Sequence, residues 1–209
     1  IELSKQVNFY GLLAREELGP VLSNPQEPWK PGESEITALE AQPALQRALT
    51  LYRLGLIDDA KEEWRFASRS LDDKLLLTAA EIARRAGWYD RMIYAADRTK
   101  ETHDFSIRYP MPYREALDTG ARAQQLDEAW VFGLVRQESR FIADARSSAG
   151  AMGLMQLMPA TARWVAQRMG LGKFSGSEIR EIETNATLGS YYLKHVLDEL
   201  GHPVLATAA

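Results

Sequence analysis

Apolar residues recur at helical spacing along most of the chain, and no stretch of useful length alternates between apolar and polar residues. Residues 1–20 show partial helical spacing that stops at Gly19-Pro20, and the proline-rich residues 21–35 predict an irregular connection. From Ile36 to about Thr102 the pattern predicts helix, turn and helix, repeated. Further helices are predicted at about 114–123, 127–139, 159–169 and 184–200. The predicted fold is mainly α.

Two turns within the 36–102 region can be aligned with each other at an offset of 32 residues. Gly55 then aligns with Gly87, and Asp58 aligns with Asp90. In a helical hairpin, glycine ends one helix and aspartate caps the next. The offset is close to that of tetratricopeptide-like repeats, but an ordinary helical bundle produces similar turns. The pattern favours a helical-repeat region and leaves the bundle open.

The segment Tyr109-Pro110-Met111-Pro112-Tyr113 interrupts the helical pattern, because prolines this close together prevent a continuous helix. We therefore predict a helical linker or superhelical region over residues 1–107 and a second domain over residues 108–209. Residues 202–209 predict a helix that stops in an apolar stretch without a cap. The second domain is therefore expected to be incomplete at its C-terminus. The start at Ile1, without Met or signal peptide, predicts a processed or trimmed form.

Composition narrows the possible function classes. The 209 residues carry a net charge of −4, contain no cysteine and include three histidines without zinc-site spacing. Thiol catalysis and disulfides are excluded, and neither a metal site nor a nucleotide-phosphate loop is indicated. No apolar run approaches the roughly 20 residues that span a bilayer. We expect no metal, no cofactor, no general affinity for nucleic acid and no membrane span.

Glu138 is the first candidate for chemistry. A helical stripe through positions 131, 134, 138 and 141 is apolar except at Glu138. A carboxylic acid against an apolar wall retains its proton more readily, which suits a general acid. The alternative from the residues alone is an ion pair with Arg136, Arg140 or Arg146, since paired acidic residues are far commoner than catalytic ones.

The segment after this helix adds groups that suit a sugar ligand. Gly150 and Gly153 permit positive φ and a close backbone approach. The amide of Gln156 can donate to and accept from hydroxyl and N-acetyl groups. Met155 and Met158 offer soft apolar surface to sugar faces. Each residue also has a purely structural interpretation, as a turn glycine, a loop-holding amide or a core filler.

Taken together, Arg136-Gln137-Glu138-Ser139 and Gly150-Ala151-Met152-Gly153-Leu154-Met155-Gln156-Leu157-Met158-Pro159 resemble the soluble lytic murein transglycosylases of Gram-negative bacteria. The E-S and G-L-M-Q motifs are those of that family's lysozyme-like domain. The resemblance covers residues 108–209 well and residues 1–107 more loosely. It implies that Glu138 is the catalytic acid/base, that Ser147 contacts the N-acetylmuramyl group, and that Gln156 and Met158 line the glycan subsites. It also implies that the family's A-Y-N-A-G motif would follow Ala209.

By this resemblance the protein cleaves the β-1,4 bond between N-acetylmuramic acid and N-acetylglucosamine and leaves 1,6-anhydromuramyl ends. Ser139 is either part of the motif or a plain surface serine, and Asp144 is taken as a surface or capping residue rather than a second catalytic acid. A goose-type lysozyme-like hydrolase and a non-catalytic helical-repeat glycan-binding module are the alternatives. The expected partners are peptidoglycan strands and other cell-wall enzymes, in the periplasm.

Overall fold

A computed structural model describes residues 3–5, 9–19, 29–172 and 174–209. Helices dominate this part of the chain, with only two isolated β-bridges, so the predicted mainly α fold is confirmed. No helix among the described residues is both long and apolar enough to cross a membrane. The helices are α1 (Phe9–Glu17), α2 (Glu33–Glu40), α3 (Pro43–Arg53), α4 (Ile57–Ser68), α5 (Asp73–Arg85), α6 (Tyr89–Asp97), α7 (Phe105–Arg108), α8 (Arg114–Ala123), α9 (Glu128–Glu138), α10 (Pro159–Arg168), α11 (Ile182–Leu200) and α12 (Pro203–Ala208).

The four helices predicted between residues 114 and 200 are all present, and their ends lie within two residues of the predicted ones. Helix α2 begins three residues before Ile36, because the Glu35 carboxylate accepts a hydrogen bond from Gly32 N at 2.7 Å and so caps its first turn. Helix α1 lies within the range 1–20, for which a helix was predicted. Residues 1–2, 6–8 and 20 of that range lie outside the described part of the chain. The irregular connection predicted for residues 21–35 is also only partly described.

The two aligned turns have the same backbone structure. Gly55 and Gly87 have φ of +75° and +69°, and each is followed by an N–H that reaches back five residues, from Leu56 to the Leu51 carbonyl at 3.0 Å and from Trp88 to the Ala83 carbonyl at 2.8 Å. This is the Schellman arrangement, which satisfies the last carbonyls of a helix. The role expected of glycine is therefore confirmed at both turns.

The capping role expected for Asp58 and Asp90 is wrong. The N-cap positions are Leu56 and Trp88, and neither makes a side-chain capping bond. The residue that closes each Schellman turn also starts the next helix, so each aspartate falls inside the first helical turn. There its charge still complements the positive end of the helix dipole.

Helices α2–α7 enclose the first hydrophobic core. Trp64 and Trp88 are buried in it and meet edge to face at 5.2 Å between ring centroids. Tyr52 stacks on Trp88, with 4.2 Å between the ring centroids. Aromatic pairs of this geometry add stability beyond their buried area. The second aligned turn thus places Trp88 in the core of α2–α7, which form the helical half of the chain.

A second core lies between α8, α9, α11 and the loop that follows α9. Helices α8 and α11 approach closely at Gly120, where an added Cβ would lie 2.8 Å from Ser190 Oγ and 2.9 Å from the Ala186 carbonyl oxygen. Ile93 of α6 is buried in this second core rather than in the first. Helix α6 therefore joins the two cores, and the division predicted at residues 107 and 108 remains a proposal.

Candidate active site

Helix α9 carries Glu138 at its C-terminal end. Asp127 caps the start of the helix, and its carboxylate accepts hydrogen bonds from Ala129 N at 2.7 Å and Trp130 N at 3.3 Å. Its buried face consists of Val131, Phe132 and Val135. Burial of this face against the second core fixes the helix, and with it the direction in which its last residue extends.

The chain turns sharply after Glu138. Ser139 is buried; its hydroxyl donates to the Val135 carbonyl at 3.2 Å and accepts from Phe141 N at 3.1 Å. Arg140 and Phe141 have φ of +49° and +63°, a left-handed conformation that costs energy for residues with a side chain. The interpretation of Ser139 as a surface serine is therefore wrong, because its hydroxyl holds the turn that ends the helix.

The turn also corrects the expected apolar stripe. Phe141 is buried, but it reaches the core from beyond the helix end, so the helical stripe does not extend to position 141. Glu138 itself is exposed to solvent, with Leu134 half-buried one turn before it. The protein provides an apolar wall on one side of the carboxylate and leaves the other side open.

The alternative of a structural ion pair for Glu138 finds no support. Arg136 is directed away from it, with hydrogen bonds to the Asp97 carboxylate at 2.8 Å and the Arg108 carbonyl at 2.9 Å. Over the described ranges, no ion pair or hydrogen bond involves the carboxylate of Glu138. The group is therefore free to act on a ligand.

The segment 145–157 forms a compact loop beside Glu138. Met152 and Leu157 exchange backbone hydrogen bonds of 2.9 and 3.0 Å, and Gly153 N donates to the Ala145 carbonyl at 2.9 Å. Gly153 has φ of +78°, and an added Cβ would lie 2.2 Å from Asn185 Nδ2. Both the backbone conformation and the close approach require glycine, as the sequence predicted for this segment.

Asn185 anchors this loop to α11, a role that the sequence did not reveal. Its Oδ1 accepts from Met155 N at 2.8 Å, while its Nδ2 donates to the Met152 carbonyl at 3.0 Å and the Ile179 carbonyl at 2.7 Å. The side chain is fully buried. The available signal was a polar residue among the apolar positions of a predicted helix, and such a residue needs buried partners.

A cleft of about 330 Å³ opens at Glu138. Gln156 and Met158 line it together with Glu138, and the rest of its wall comes from the loop 145–157, from α9, α10, α11 and α12, and from Ala209. Three of the four predicted site residues are thus brought together. Within the described part of the chain, Glu138 is the only acidic side chain that lines this cleft.

Gln156 combines the structural and the ligand-binding interpretations. Its backbone is left-handed, with φ of +46°, and its Nε2 donates to the carbonyls of Gly153 at 2.8 Å and Ala145 at 3.3 Å. Both amide hydrogens therefore hold the loop. The amide oxygen is the part of the side chain left to accept a hydrogen bond from a ligand.

Ser147 lies outside the lining of the cleft. Its hydroxyl accepts from Ala151 N at 3.0 Å, and its backbone carbonyl accepts from Gly150 N at 3.0 Å, so it shapes the tip of the loop. The hydroxyl hydrogen remains able to donate. Contact between Ser147 and substrate stays a prediction.

Two family models match consecutive parts of the chain. Residues 115–209 match the family described as "Transglycosylase SLT domain" and residues 38–101 match the "Soluble lytic murein transglycosylase L domain". The chain belongs to the soluble lytic murein transglycosylase family.

Individual relatives agree with this membership. The chain is 26% identical to the soluble lytic murein transglycosylase of Salmonella typhimurium, over 99% of this chain and 32% of that protein. Its structure is similar to an inactive glutamate-to-glutamine mutant of lytic transglycosylase Slt from Pseudomonas aeruginosa, with a TM-score of 0.82 and 30% identity over 96% of this chain and 33% of that one. It is also similar to the 70 kDa soluble lytic transglycosylase of Escherichia coli, with a TM-score of 0.79 and 25% identity. This similarity covers 100% of this chain and 34% of that one. The chain thus spans about a third of the length of the relatives it matches.

Proposed function

We propose that the protein carrying this chain cleaves the β-1,4 bond between N-acetylmuramic acid and N-acetylglucosamine in peptidoglycan and leaves 1,6-anhydromuramyl ends. The observation that carries the proposal is that Glu138 provides the one acidic side chain among the described residues that line the cleft. Most glycosidases need two carboxylates, one as acid and one as nucleophile or base. A cleft with one carboxylate is suited to a reaction in which the substrate supplies the other groups.

The proposed reaction uses Glu138 twice. The carboxylic acid gives its proton to the glycosidic oxygen as the bond from that oxygen to C1 breaks. The N-acetyl carbonyl of the muramyl residue stabilises the positive charge that develops at C1. The carboxylate then takes the proton of the C6 hydroxyl of the same sugar, whose oxygen bonds to C1. The acid is regenerated, and neither water nor metal is consumed.

The neighbouring residues have matching proposed roles. A glycan in the cleft covers the open side of Glu138 and removes water from it, which strengthens interactions with the developing charge. The Gln156 amide oxygen accepts a hydrogen bond from a sugar hydroxyl or N-acetyl N–H, and Met158, which is 43% exposed, contacts a sugar face. Ser147 donates its hydroxyl hydrogen to the muramyl group. Since the substrate is cell-wall glycan and relatives come from Gram-negative bacteria, we place the protein in the periplasm.

A substitution at Glu138 tests the proposal. Glu138→Gln keeps the size of the side chain but removes the proton donor, so release of soluble fragments from purified peptidoglycan should fall at least about a hundredfold. The inactive mutant of the Pseudomonas aeruginosa relative also carries a glutamine in place of a glutamate. Binding to isolated glycan should persist, because the cleft is otherwise unchanged.

The matched control is Glu183→Gln on α11, since Glu183 is exposed and does not line the cleft. Its rate should equal that of the unsubstituted protein. An undiminished rate in Glu138→Gln would overturn the assignment, and glycan binding without any cleavage by the unsubstituted protein would favour the non-catalytic binding module. Contacts with other cell-wall enzymes through the helical half stay a prediction.

A further inference from the structure

The side chain of Asn185 holds the turn that carries Gln156 into the cleft. Two backbone hydrogen bonds between Met152 and Leu157, of 2.9 and 3.0 Å, close this turn. The Asn185 amide donates to the Met152 carbonyl at 3.0 Å and accepts from Met155 N at 2.8 Å. One buried side chain therefore fixes the turn at two points along its backbone, and the second point directly precedes Gln156.

The same side chain joins the turn to α11. The Asn185 Nδ2 also donates to the Ile179 carbonyl at 2.7 Å, in the segment just before this helix. Asn185 is completely buried, and Ala186 and Leu193 of the same helix pack in the second core. Both amide hydrogens and the amide oxygen of Asn185 have partners, so only one orientation of the amide satisfies all three. The turn is thus attached to a well-packed helix by a side chain that cannot rotate without losing hydrogen bonds.

Met155 also lies against α11 through its side chain. Gly189 is four residues after Asn185, which places both on the same face of the helix. An added Cβ at Gly189 would lie 2.3 Å from Met155 Sδ, so the missing side chain leaves the space that Met155 occupies. Met155 and Gly189 both line the cleft. Helix α11 therefore sets the backbone and the side chain of the residue next to Gln156.

Glu138 is held in place by other contacts. Its helix is fixed by the buried face of α9, and the turn that follows is held by the Ser139 hydroxyl. Within the described ranges, none of the hydrogen bonds of the Asn185 side chain goes to α9. A change at Asn185 should therefore displace the residues of the turn and leave Glu138 where it is.

We propose that Asn185 is a positioning residue for glycan binding, which sets the turn so that the amide oxygen of Gln156 meets the glycan. This role rests on the function proposed for the cleft, because it takes glycan as the ligand. Asn185 does not touch the glycan itself, since it is buried and does not line the cleft. Its loss should therefore raise KM and leave kcat nearly unchanged, as expected when binding is weakened equally in the ground state and the transition state.

Asn185→Asp tests this role, because it keeps the shape of the side chain and removes the two donor hydrogens. The introduced carboxyl would face the carbonyls of Met152 and Ile179, and burial would raise its pKa. The ionised form repels both carbonyls, whereas the protonated form still donates to one of them. In the natural protein that carries these residues, KM for soluble glycan strands prepared from peptidoglycan should rise about tenfold at pH 8 but only about threefold at pH 5, relative to the unsubstituted protein at the same pH.

Leu117→Ala is the control for a purely structural effect. Leu117 is buried in the second core and does not line the cleft. Its truncation should lower the temperature of thermal unfolding and leave KM unchanged, because a less stable protein loses active molecules rather than affinity. Asn185→Ala, which adds no charge, should raise KM to a similar extent at both pH values. It provides the test if thermal unfolding shows that Asn185→Asp is not folded at pH 8.

Isothermal titration of the same glycan strands into Glu138→Gln separates the positioning role from the function of the cleft. Adding Asn185→Asp to this variant should weaken binding about tenfold at pH 8, the equivalent of one lost hydrogen bond. Unchanged KM and affinity in a folded Asn185 variant, or a fall in kcat alone, would overturn the positioning role and leave the proposed cleavage intact. Neither cleavage nor binding by the unsubstituted protein would overturn both.

Discussion

Single glycines decide whether the loop beside Glu138 can form. Gly153 and Gly150 both have positive φ, at +78° and +94°. They differ in their surroundings, because an added Cβ at Gly153 would lie 2.2 Å from Asn185 Nδ2, whereas nothing lies within 4 Å of one at Gly150. Substitutions at the two positions therefore separate the energetic cost of a left-handed backbone from the cost of steric overlap with Asn185.

Gly153→Ala should lower the free energy of unfolding by about 2–4 kcal/mol, because it adds overpacking against Asn185 to the strain of a left-handed backbone. Gly150→Ala should lower it by only about 1 kcal/mol, from the backbone conformation alone. Urea denaturation of the two variants measures both values. Equal losses at the two positions would show that contact with Asn185 does not matter.

For single residues, the sequence predicted the side chains that line the cleft better than the side chains that hold the surrounding loop in place. Glu138, Gln156 and Met158 line one cleft. Their residue types alone left structural interpretations open, and the family resemblance of the motifs that contain them singled them out. The buried hydrogen bonds of Ser139 and Asn185 could not be derived, because their partners are backbone groups whose positions depend on the folded loop. Local sequence predicts a donor or an acceptor, but tertiary structure decides what it meets.

Between elements, Asp73 ties the start of α5 to the segment after α6. Its carboxylate accepts three backbone hydrogen bonds, from Lys100 N at 3.1 Å, Glu101 N at 2.7 Å and Thr102 N at 2.8 Å. Partial burial alone would raise the pKa of Asp73, but these three amides lower it below its ordinary value of 3.8. The ionised form is thus the one that the fold stabilises.

Since the pKa of Asp73 is lower in the folded state, its contribution to stability is present above about pH 4 and is lost as the pH falls through the lowered value. Asp73→Asn should therefore lower the free energy of unfolding by about 1–3 kcal/mol at pH 7, and the difference should shrink below pH 4. Urea denaturation across this pH range checks both points. The control is Asp144→Asn, at an exposed position whose carboxylate forms no ion pair or hydrogen bond with a described residue. A pH-independent loss at Asp73 would contradict the stabilising role of its ionised form.

The order and type of the elements followed from periodicity, and their exact starts did not. Helices α8–α11 lie close to the predicted ranges, because long apolar stripes and prolines mark them clearly. The aligned turns contained the expected glycines, yet Leu56 and Trp88 took the N-cap positions expected for a polar residue. When one residue both closes a Schellman turn and opens the next helix, no position remains for an aspartate cap.

Across the whole molecule, Arg136 connects α9, the helix that carries Glu138, to the helical half. Its guanidinium bonds to the Asp97 carboxylate and the Arg108 carbonyl, and lies over the Tyr109 ring at 4.8 Å from the centroid. Arg108 also bonds to Asp97, at 3.1 Å. The planar guanidinium satisfies three partners at once, which a lysine cannot do.

Arg136→Lys should lower the free energy of unfolding by about 1–3 kcal/mol through the lost charge-assisted hydrogen bonds. In a double-mutant cycle with Asp97→Asn, the coupling energy should be about 1–2 kcal/mol, because the two side chains are in direct contact. Thermal and urea unfolding give both quantities. Arg163→Lys, at an exposed site on α10, is the control, and additive effects of Arg136 and Asp97 would contradict a direct link.

The contact between the helical half and the second core was the feature of the fold that the sequence predicted least well. Prolines near residue 110 indicated a change of pattern, but burial of Ile93 in the second core involves residues far apart in sequence. The same holds for a cavity lined by Tyr52, Tyr113 and Asp144, whose members come from three separate segments. Periodicity reports which face of a helix is buried, and it does not report against which partner.

The central claim is that Glu138 serves an attack within the substrate rather than an attack by water. Digestion of purified peptidoglycan in ¹⁸O-labelled water by the natural protein that carries these residues, followed by mass spectrometry of the new muramyl ends, tests it most directly. If the C6 hydroxyl attacks C1, the new ends are lighter than hydrolysed ends by one water and contain no ¹⁸O. New ends that carry ¹⁸O would identify a hydrolase of the goose-type lysozyme kind, and would contradict the account.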